Sequence, residues 1–540
     1  MKKLTLSFLL SAPLLITSLI GIGCGNTDMM MTTMPTAGAA DSKFRPKPNG
    51  FSFGNDFSKT APSPGPAMTA AEVRRYFGDQ VCASTVGGCV LTPQAQEWLD
   101  TANKDLYSGL CEGFAVLANI LYTGANGVKP SDFQAGAMTT YDLNIADNGK
   151  LQRELAYYYT SQGLFPETPG LTPAELGTQL LTALAKTPSP ELPSIRFFKK
   201  GFKDGHAMNA YAISTTDSGY SVKIYDNNNP NEEKILEINK AADTWVYRGA
   251  TTATGQPDEY LGDSASKTIF LVPTSLRLGQ FPCKFCANMT AGMMPMGTRQ
   301  IKVNGQGHLL VKDPNGKSLG YSGGAFVNDI PGSEVKPLVN GTRGRPSPEP
   351  LYSLPGGTDL TMTIDGSTLT AASPSTVSLF GPGYVLEVDG INLDPGQQDT
   401  LAIKAMGNSI AYTTQQNETP SLVLGIQTAS DDYEFEIRVT GDTSGQTVTL
   451  VLDQATGKLK LTVDGHDTAD YDIDLIMHRI GQLGDEVFSH VGDQAINIAS
   501  GGSVNINYGA WTGQGGMVAL EVDNDRNGTV DRMVQLTDQN

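Results

Sequence analysis

Gly109-Leu110-Cys111-Glu112-Gly113-Phe114-Ala115-Val116-Leu117-Ala118 is the stretch on which the reading of this chain turns. The turn signal Ser108-Gly109 leads into it. Phe114, Leu117, Ala118 and Leu121 then recur at helical spacing, which predicts a helix beginning at Cys111. A thiol there faces the positive end of the helix dipole and unpaired amide N–H groups, and both favour the thiolate. The same amides can hold a developing oxyanion. A buried structural cysteine on a core helix is the plainer alternative. The residues downstream bear on the choice.

The 540 residues suffice for roughly two to four domains. A net charge of −18 argues against a nucleic-acid partner, which needs clustered Lys and Arg. With 60 Gly, 31 Pro and only 17% charged residues, the composition suits a turn-rich exported protein. Six cysteines are few enough to assign individually: Cys24, Cys82, Cys89, Cys111, Cys283 and Cys286. The five histidines are His206, His308, His466, His478 and His490.

Residues 1–23 read as an export signal: Lys2 and Lys3, then an apolar run broken by Pro13 and several Ser and Thr. The run ends at Gly21-Ile22-Gly23-Cys24-Gly25, which resembles a lipoprotein signal-peptidase site, with Gly21 where Leu is usual. The resemblance implies a lipid-modified Cys24 and an outer-membrane or surface location in a bacterial envelope. Ordinary cleavage and secretion is the alternative. No other apolar run approaches the ~18 residues needed to span a bilayer. Residues 24–68, rich in Met, Thr, Pro, Gly, Ala and Ser, read as a flexible tether.

Ordered structure is expected from Thr69, where Thr69-Ala70-Ala71-Glu72 forms a capping box. Cys82 and Cys89 bracket a Gly-containing loop and read as a short-loop disulfide. A metal pair is weakened by the lack of a nearby His. Thr92-Pro93 opens a helix through Trp98 and Leu99 that ends near Asn103. Helices are also expected at 147–162 and from Thr172-Pro173-Ala174-Glu175. From Ser194 the pattern changes to strands, near 195–198, 206–214, 220–225, 234–238, 244–247 and 268–272. Residues 276–298 read as a linker holding Cys283-Lys284-Phe285-Cys286. A structural disulfide leads there, with metal and redox roles left open. From Arg299 onward short strands alternate with Gly, Pro, Asn and Asp, as at 360–364, 384–388, 433–439, 447–452 and 459–463. Residues 469–483 are ambiguous and could carry a short helix.

His206 is the only histidine before residue 300, and Asp226 ends the next expected strand. If those strands are antiparallel neighbours, Asp226 sits beside His206. A nucleophilic thiol on a helix, a base on a sheet and a residue orienting the base form one order of parts for acyl transfer.

Here the chain resembles the papain-like cysteine peptidase superfamily, in particular its bacteriocin-leader peptidase-like and transglutaminase-like branches. The resemblance is carried by Gly109-Leu110-Cys111-Glu112-Gly113-Phe114-Ala115, Gly205-His206-Ala207-Met208-Asn209-Ala210-Tyr211 and Ile224-Tyr225-Asp226-Asn227-Asn228. It covers about residues 70–275. It implies Cys111 as nucleophile, His206 as general base and Asp226 as orienting acid, with Asn227 or Asn228 as substitutes for the last. The family places a Gln before the cysteine as an oxyanion donor; this chain has Asp105 there, and Asn103 is the substitute considered. No cofactor is expected for catalysis.

A second constellation is Asp523-Asn524-Asp525-Arg526-Asn527-Gly528-Thr529-Val530-Asp531. Oxygen side chains at alternate positions with Gly at the sixth match the start of an EF-hand-like loop. Val534 stands where the usual bidentate Glu would be. The expectation is structural Ca2+ held by the side chains of Asp523, Asp525, Asn527 and Asp531 and the Thr529 carbonyl, between strands rather than helices. A solvated Asp/Asn turn is the alternative.

The sequence thus predicts an α+β chain: a signal at 1–23, a tether at 24–68, a papain-like domain at 69–275 (helices, then an antiparallel sheet), a linker at 276–298, and one or two β-sandwiches at 299–540. The expected function is a lipid-anchored cysteine hydrolase acting on a peptide or protein. The alternative is a non-catalytic surface protein that binds peptide, glycan or an envelope partner.

Overall fold

The computed structural model describes residues 38–55, 67–106, 109–186, 191–251, 256–287, 297–339, 349–440, 444–465, 468–481, 484–491, 496–499, 501–513 and 515–539. The signal segment and Cys24 lie outside the described residues. The described residues from Ala39 onward form one compact unit.

Among the described residues, five helices of eight residues or more precede the first large sheet: α1 (Ala70–Phe77), α2 (Pro93–Asp105), α3 (Cys111–Thr123), α4 (Gly149–Thr160) and α5 (Pro173–Leu184). The capping boxes form as the sequence predicts: Thr69 with Glu72 at α1, and Thr172 with Glu175 at α5. Helix α3 is buried from Cys111 to Leu121. It lies hard against α4, because a Cβ at Gly113 would overlap the Leu155 carbonyl.

The first large sheet follows. Its strands are β1 (Ala39–Asp41), β4 (Ser194–Lys199), β5 (Lys203–Thr215), β6 (Gly219–Tyr225), β7 (Glu233–Asn239), β8 (Thr244–Thr251), β9 (Pro257–Asp263) and β10 (Ile269–Val272); β2 (Cys82–Ser84) and β3 (Val90–Leu91) form a separate hairpin. The order is β10-β4-β5-β6-β7-β8-β9, antiparallel throughout, with β1 on β5. The expected neighbours β5 and β6 pair from Asn209 with Tyr225.

Two boundaries differ from expectation. The expected tether is partly folded: β1 pairs with β5, and Phe44 and Phe51 are fully buried. Aromatic anchors spaced among Pro and Gly carry no periodicity, which is why the sequence reads as loose. The expected linker is also partly core. Phe281 packs on Tyr76, and Phe285 on Phe77, Trp98 and Phe380.

From Thr298–Asn304 to Arg532–Thr537 the described residues form a ten-stranded and an eleven-stranded antiparallel sheet. One hydrophobic cluster from Ile301 to Leu536 draws on both sheets, as in a β-sandwich. Alternation puts Leu459, Leu461 and Val463 inside on strand Lys458–Asp464. The ambiguous segment is strand Thr468–Gly481, not helix; Ile473, Leu475 and Met477 alternate inward. Helix α2 docks on this half. Lys104 pairs with Asp389 at 2.8 Å, Gln94 donates to Gln427 at 2.9 Å, and Asp105 pairs with Lys302 and accepts from Asn304.

Candidate active site

Cys111 is the first residue of α3, and no side chain caps that end. The Leu110 N–H donates instead to Asn55 Oδ1 at 2.7 Å. Asn55 belongs to the segment expected to be tether. Cys111 is a free thiol with 0% exposure. Burial pushes it well above the ordinary thiol range, and the Glu112 charge adds to this; hydrogen bonds from the Ala207 and Glu112 main chain oppose it. The sulfur is therefore held beside the residue that follows His206.

His206 and Asp226 meet as expected. His206 Nε2 and Asp226 Oδ1 are 2.9 Å apart, and both residues are buried. The other ring nitrogen, Nδ1, has no hydrogen-bond partner. The expected thiol–imidazole hydrogen bond is therefore not made in this closed arrangement. The Phe197 ring packs edge-on against the imidazole, 5.7 Å between centroids.

Asp226 is held by more donors than the sequence suggested. Oδ1 also accepts from the Asn228 main chain at 2.9 Å; Oδ2 accepts from Tyr247 Oη at 2.5 Å and Asn229 Nδ2 at 2.8 Å. Burial alone would push this carboxyl up. The His206 charge and the hydrogen bonds from His206, Tyr247 and Asn228 outweigh burial and hold it at about 2. Tyr247 stands on an expected strand, but nothing in local sequence says that it faces Asp226.

The substitutes do other work. Asn227 Nδ2 donates to the Cys111 carbonyl at 3.1 Å and the Ala207 carbonyl at 3.0 Å, stapling α3 to β5. Asn228 Nδ2 approaches His206 Nε2 only at 3.4 Å. Asn103 is not placed as an oxyanion donor: its amide pairs with the Met68 main chain, accepting at 2.8 Å and donating at 3.2 Å.

Glu112, next to Cys111, is fully buried and pairs with the Arg277 guanidinium. Sequence reading missed this pair because its members are 165 residues apart. Cys82 bonds to Cys89 and Cys283 to Cys286, with Cα separations of 5.2 and 5.4 Å. Local pairing leaves Cys111 reduced.

In the acidic loop, carboxylate oxygens of Asp523, Asp525 and Asp531 lie within 4.8 Å of one another. The loop runs between strands Met517–Asp523 and Arg532–Thr537. Asn527 turns its amide to Asp525 at 2.9 Å, and its oxygen accepts from the Thr529 N–H at 2.7 Å.

No family model matches the chain, and neither a curated protein nor a solved structure matches it. No helix among the described residues is long and apolar enough to cross a membrane.

Proposed function

We propose that this chain is a papain-like cysteine hydrolase, held latent, that cuts peptide or amide bonds at a bacterial cell envelope. The observation that carries the reading is the buried pair of His206 and Asp226 beside a free thiol, with His206 Nδ1 unpartnered. An orphaned buried polar atom is costly, and a catalytic role is one of the few reasons to keep it. In the reaction His206 takes the Cys111 proton, and the thiolate attacks the carbonyl carbon. The tetrahedral oxyanion collapses to a thioester as His206 protonates the leaving amine. Water, deprotonated by His206, then releases the acid and restores the thiol. Main-chain N–H groups of the first turn of α3 are the donors proposed for the oxyanion.

Lys2, Lys3, the apolar run and Gly23-Cys24-Gly25 support export and a lipid on Cys24. The three converging carboxylates support a structural Ca2+ in the loop 523–531. A second reading, a non-catalytic surface protein that binds peptide, glycan or an envelope partner, is favoured by the burial of Cys111 (0% exposed) and His206 (3%).

A thiol-reactive peptidyl probe on the full chain tests the choice. The hydrolase reading expects labelling at Cys111 that His206→Ala abolishes. Labelling that is absent, or equal in the two proteins, favours the binding reading.

A further inference from the structure

Residues 336–339 belong to the β-rich half, yet they are built into the other. Lys336 Nζ donates to the Phe165 carbonyl and lies 3.6 Å from Glu167 Oε2. Gln162 and Val339 exchange two hydrogen bonds, at 3.2 and 2.8 Å. A Cβ on Gly205 would lie 3.0 Å from Val339 Cγ1. Arg196 Nη2 donates to the Pro337 carbonyl at 2.5 Å.

That last bond fixes a fully buried guanidinium. The other two nitrogens of Arg196, Nε and Nη1, have no hydrogen bond. They face Glu112 Oε2 at 3.8 Å and Glu167 Oε1 at 3.7 Å. The hydrogen bond that sets the Arg196 orientation therefore comes from residue 337. Glu112 in turn is buried between Arg196 and Arg277, next to Cys111. In the sheet, Arg196 stands opposite Ala207, whose N–H holds the Cys111 sulfur.

We propose that residues 336–339 position the thiol site: they hold Arg196, which faces Glu112 beside Cys111, and they pack on Gly205 beside His206. The β-rich half then completes the site instead of being a separate attachment. Lys336 and Arg196 are positioning residues, acting through Glu167 and Glu112. Three cations (Arg196, Arg277, Lys336) meet two carboxylates (Glu112, Glu167) in this cluster. Desolvation, opposed by Glu167 and assisted by the two guanidinium groups, pulls Lys336 down to about 7. An apolar replacement removes both its charge and its hold on Glu167. The inference rests on the site proposed above.

Native-state hydrogen exchange on the full chain tests it, without needing turnover. Lys336→Met should speed exchange at residues 111–115 and 204–208 by about tenfold while the sandwich interior is unchanged. Lys336→Arg keeps a cation facing Glu167 and should restore protection to within about twofold. Lys404→Met is the control, because Lys404 lies in the same half and pairs at the surface with Asp359. If Lys336→Met does not fold, Glu167→Gln removes the shared carboxylate and should give the same local pattern. Unchanged exchange at 111–115, a uniform rise over the whole body, or the same effect from Lys404→Met would overturn the proposal. Local exchange as expected, with no probe labelling at Cys111, would sink the hydrolase reading and leave this coupling standing.

Discussion

The Tyr247 hydroxyl donates to Asp226 Oδ2 at 2.5 Å, with both residues buried. It holds the carboxylate from the side opposite His206. Removing it by Tyr247→Phe should cost about 1.5–3 kcal/mol, the range for a hydrogen bond to a charged group. The pH dependence has a definite sign. Asp226 is held at about 2, below its unfolded value, so its contribution is present above roughly pH 4 and is lost as pH falls toward 2. The variant raises the folded value, so less is lost and the loss ends at higher pH. Urea unfolding of both proteins between pH 2 and 7 checks this; superimposable curves would contradict it.

Helix starts and strand alternation were legible because both are local. Thr69 with Glu72, Thr172 with Glu175, and Leu459, Leu461 and Val463 each announce themselves within a few residues. His206 and Asp226 were legible because the turn between β5 and β6 is short enough to make them neighbours. What was hidden is long-range. Glu112 finds Arg277, Arg196 finds Pro337, and Asn55 finds Leu110, all across distances no local pattern encodes. Phe44 and Phe51 belong with these: single aromatics give no period, and only the finished core shows their place.

Gly113 sets the separation of α3 and α4. A methyl group there would overlap the Leu155 carbonyl, which is main chain and cannot rotate away. Gly113→Ala should therefore destabilise the protein by at least about 2–3 kcal/mol despite its better helix propensity. It should also displace Cys111, two residues earlier. Thermal unfolding gives the first effect. A stabilised variant would mean that the helices separate at little cost.

Cys24→Ser tests the lipid proposed from the sequence. The serine protein should leave the membrane fraction for the soluble fraction when expressed with its signal. Membrane partition that does not change would remove the lipid anchor from the functional reading.

Calcium should raise the unfolding temperature of the full chain. A ligand that binds only the folded state adds about 2.7 kcal/mol at a hundred times its dissociation constant. Asp525 is the residue to change, since its carboxylate converges with those of Asp523 and Asp531 and it carries no strand pairing. Asp525→Ala should abolish the calcium response and leave the melt in chelator close to wild type. Identical wild-type melts in calcium and in chelator would assign the loop to a solvated turn.

The docking face of α2 carries a pH dependence of the opposite sign to Asp226. Glu97 on α2 meets Glu387 and Glu434 from the sandwich, with Asp100 and Lys104 nearby; Glu434 also faces His478 and Asp485. Glu434 Oε2 is buried without a hydrogen bond. Burial is the main cause raising all three carboxyls, and Glu434 reaches about 7. A carboxyl raised on folding stabilises below its unfolded value, and that contribution is lost as pH rises through the folded one. The protein should therefore lose stability between about pH 5 and 8, on the order of 2 kcal/mol for one such group. Glu434→Gln keeps the shape and removes the proton, so its stability should change less over that range. Lys104, bridging Glu387 and Asp389, limits the effect and should be left intact in the comparison. Stability that rises from pH 5 to 8 in the wild type, or an equal fall in Glu434→Gln, would show that these acids are ionised in the folded protein.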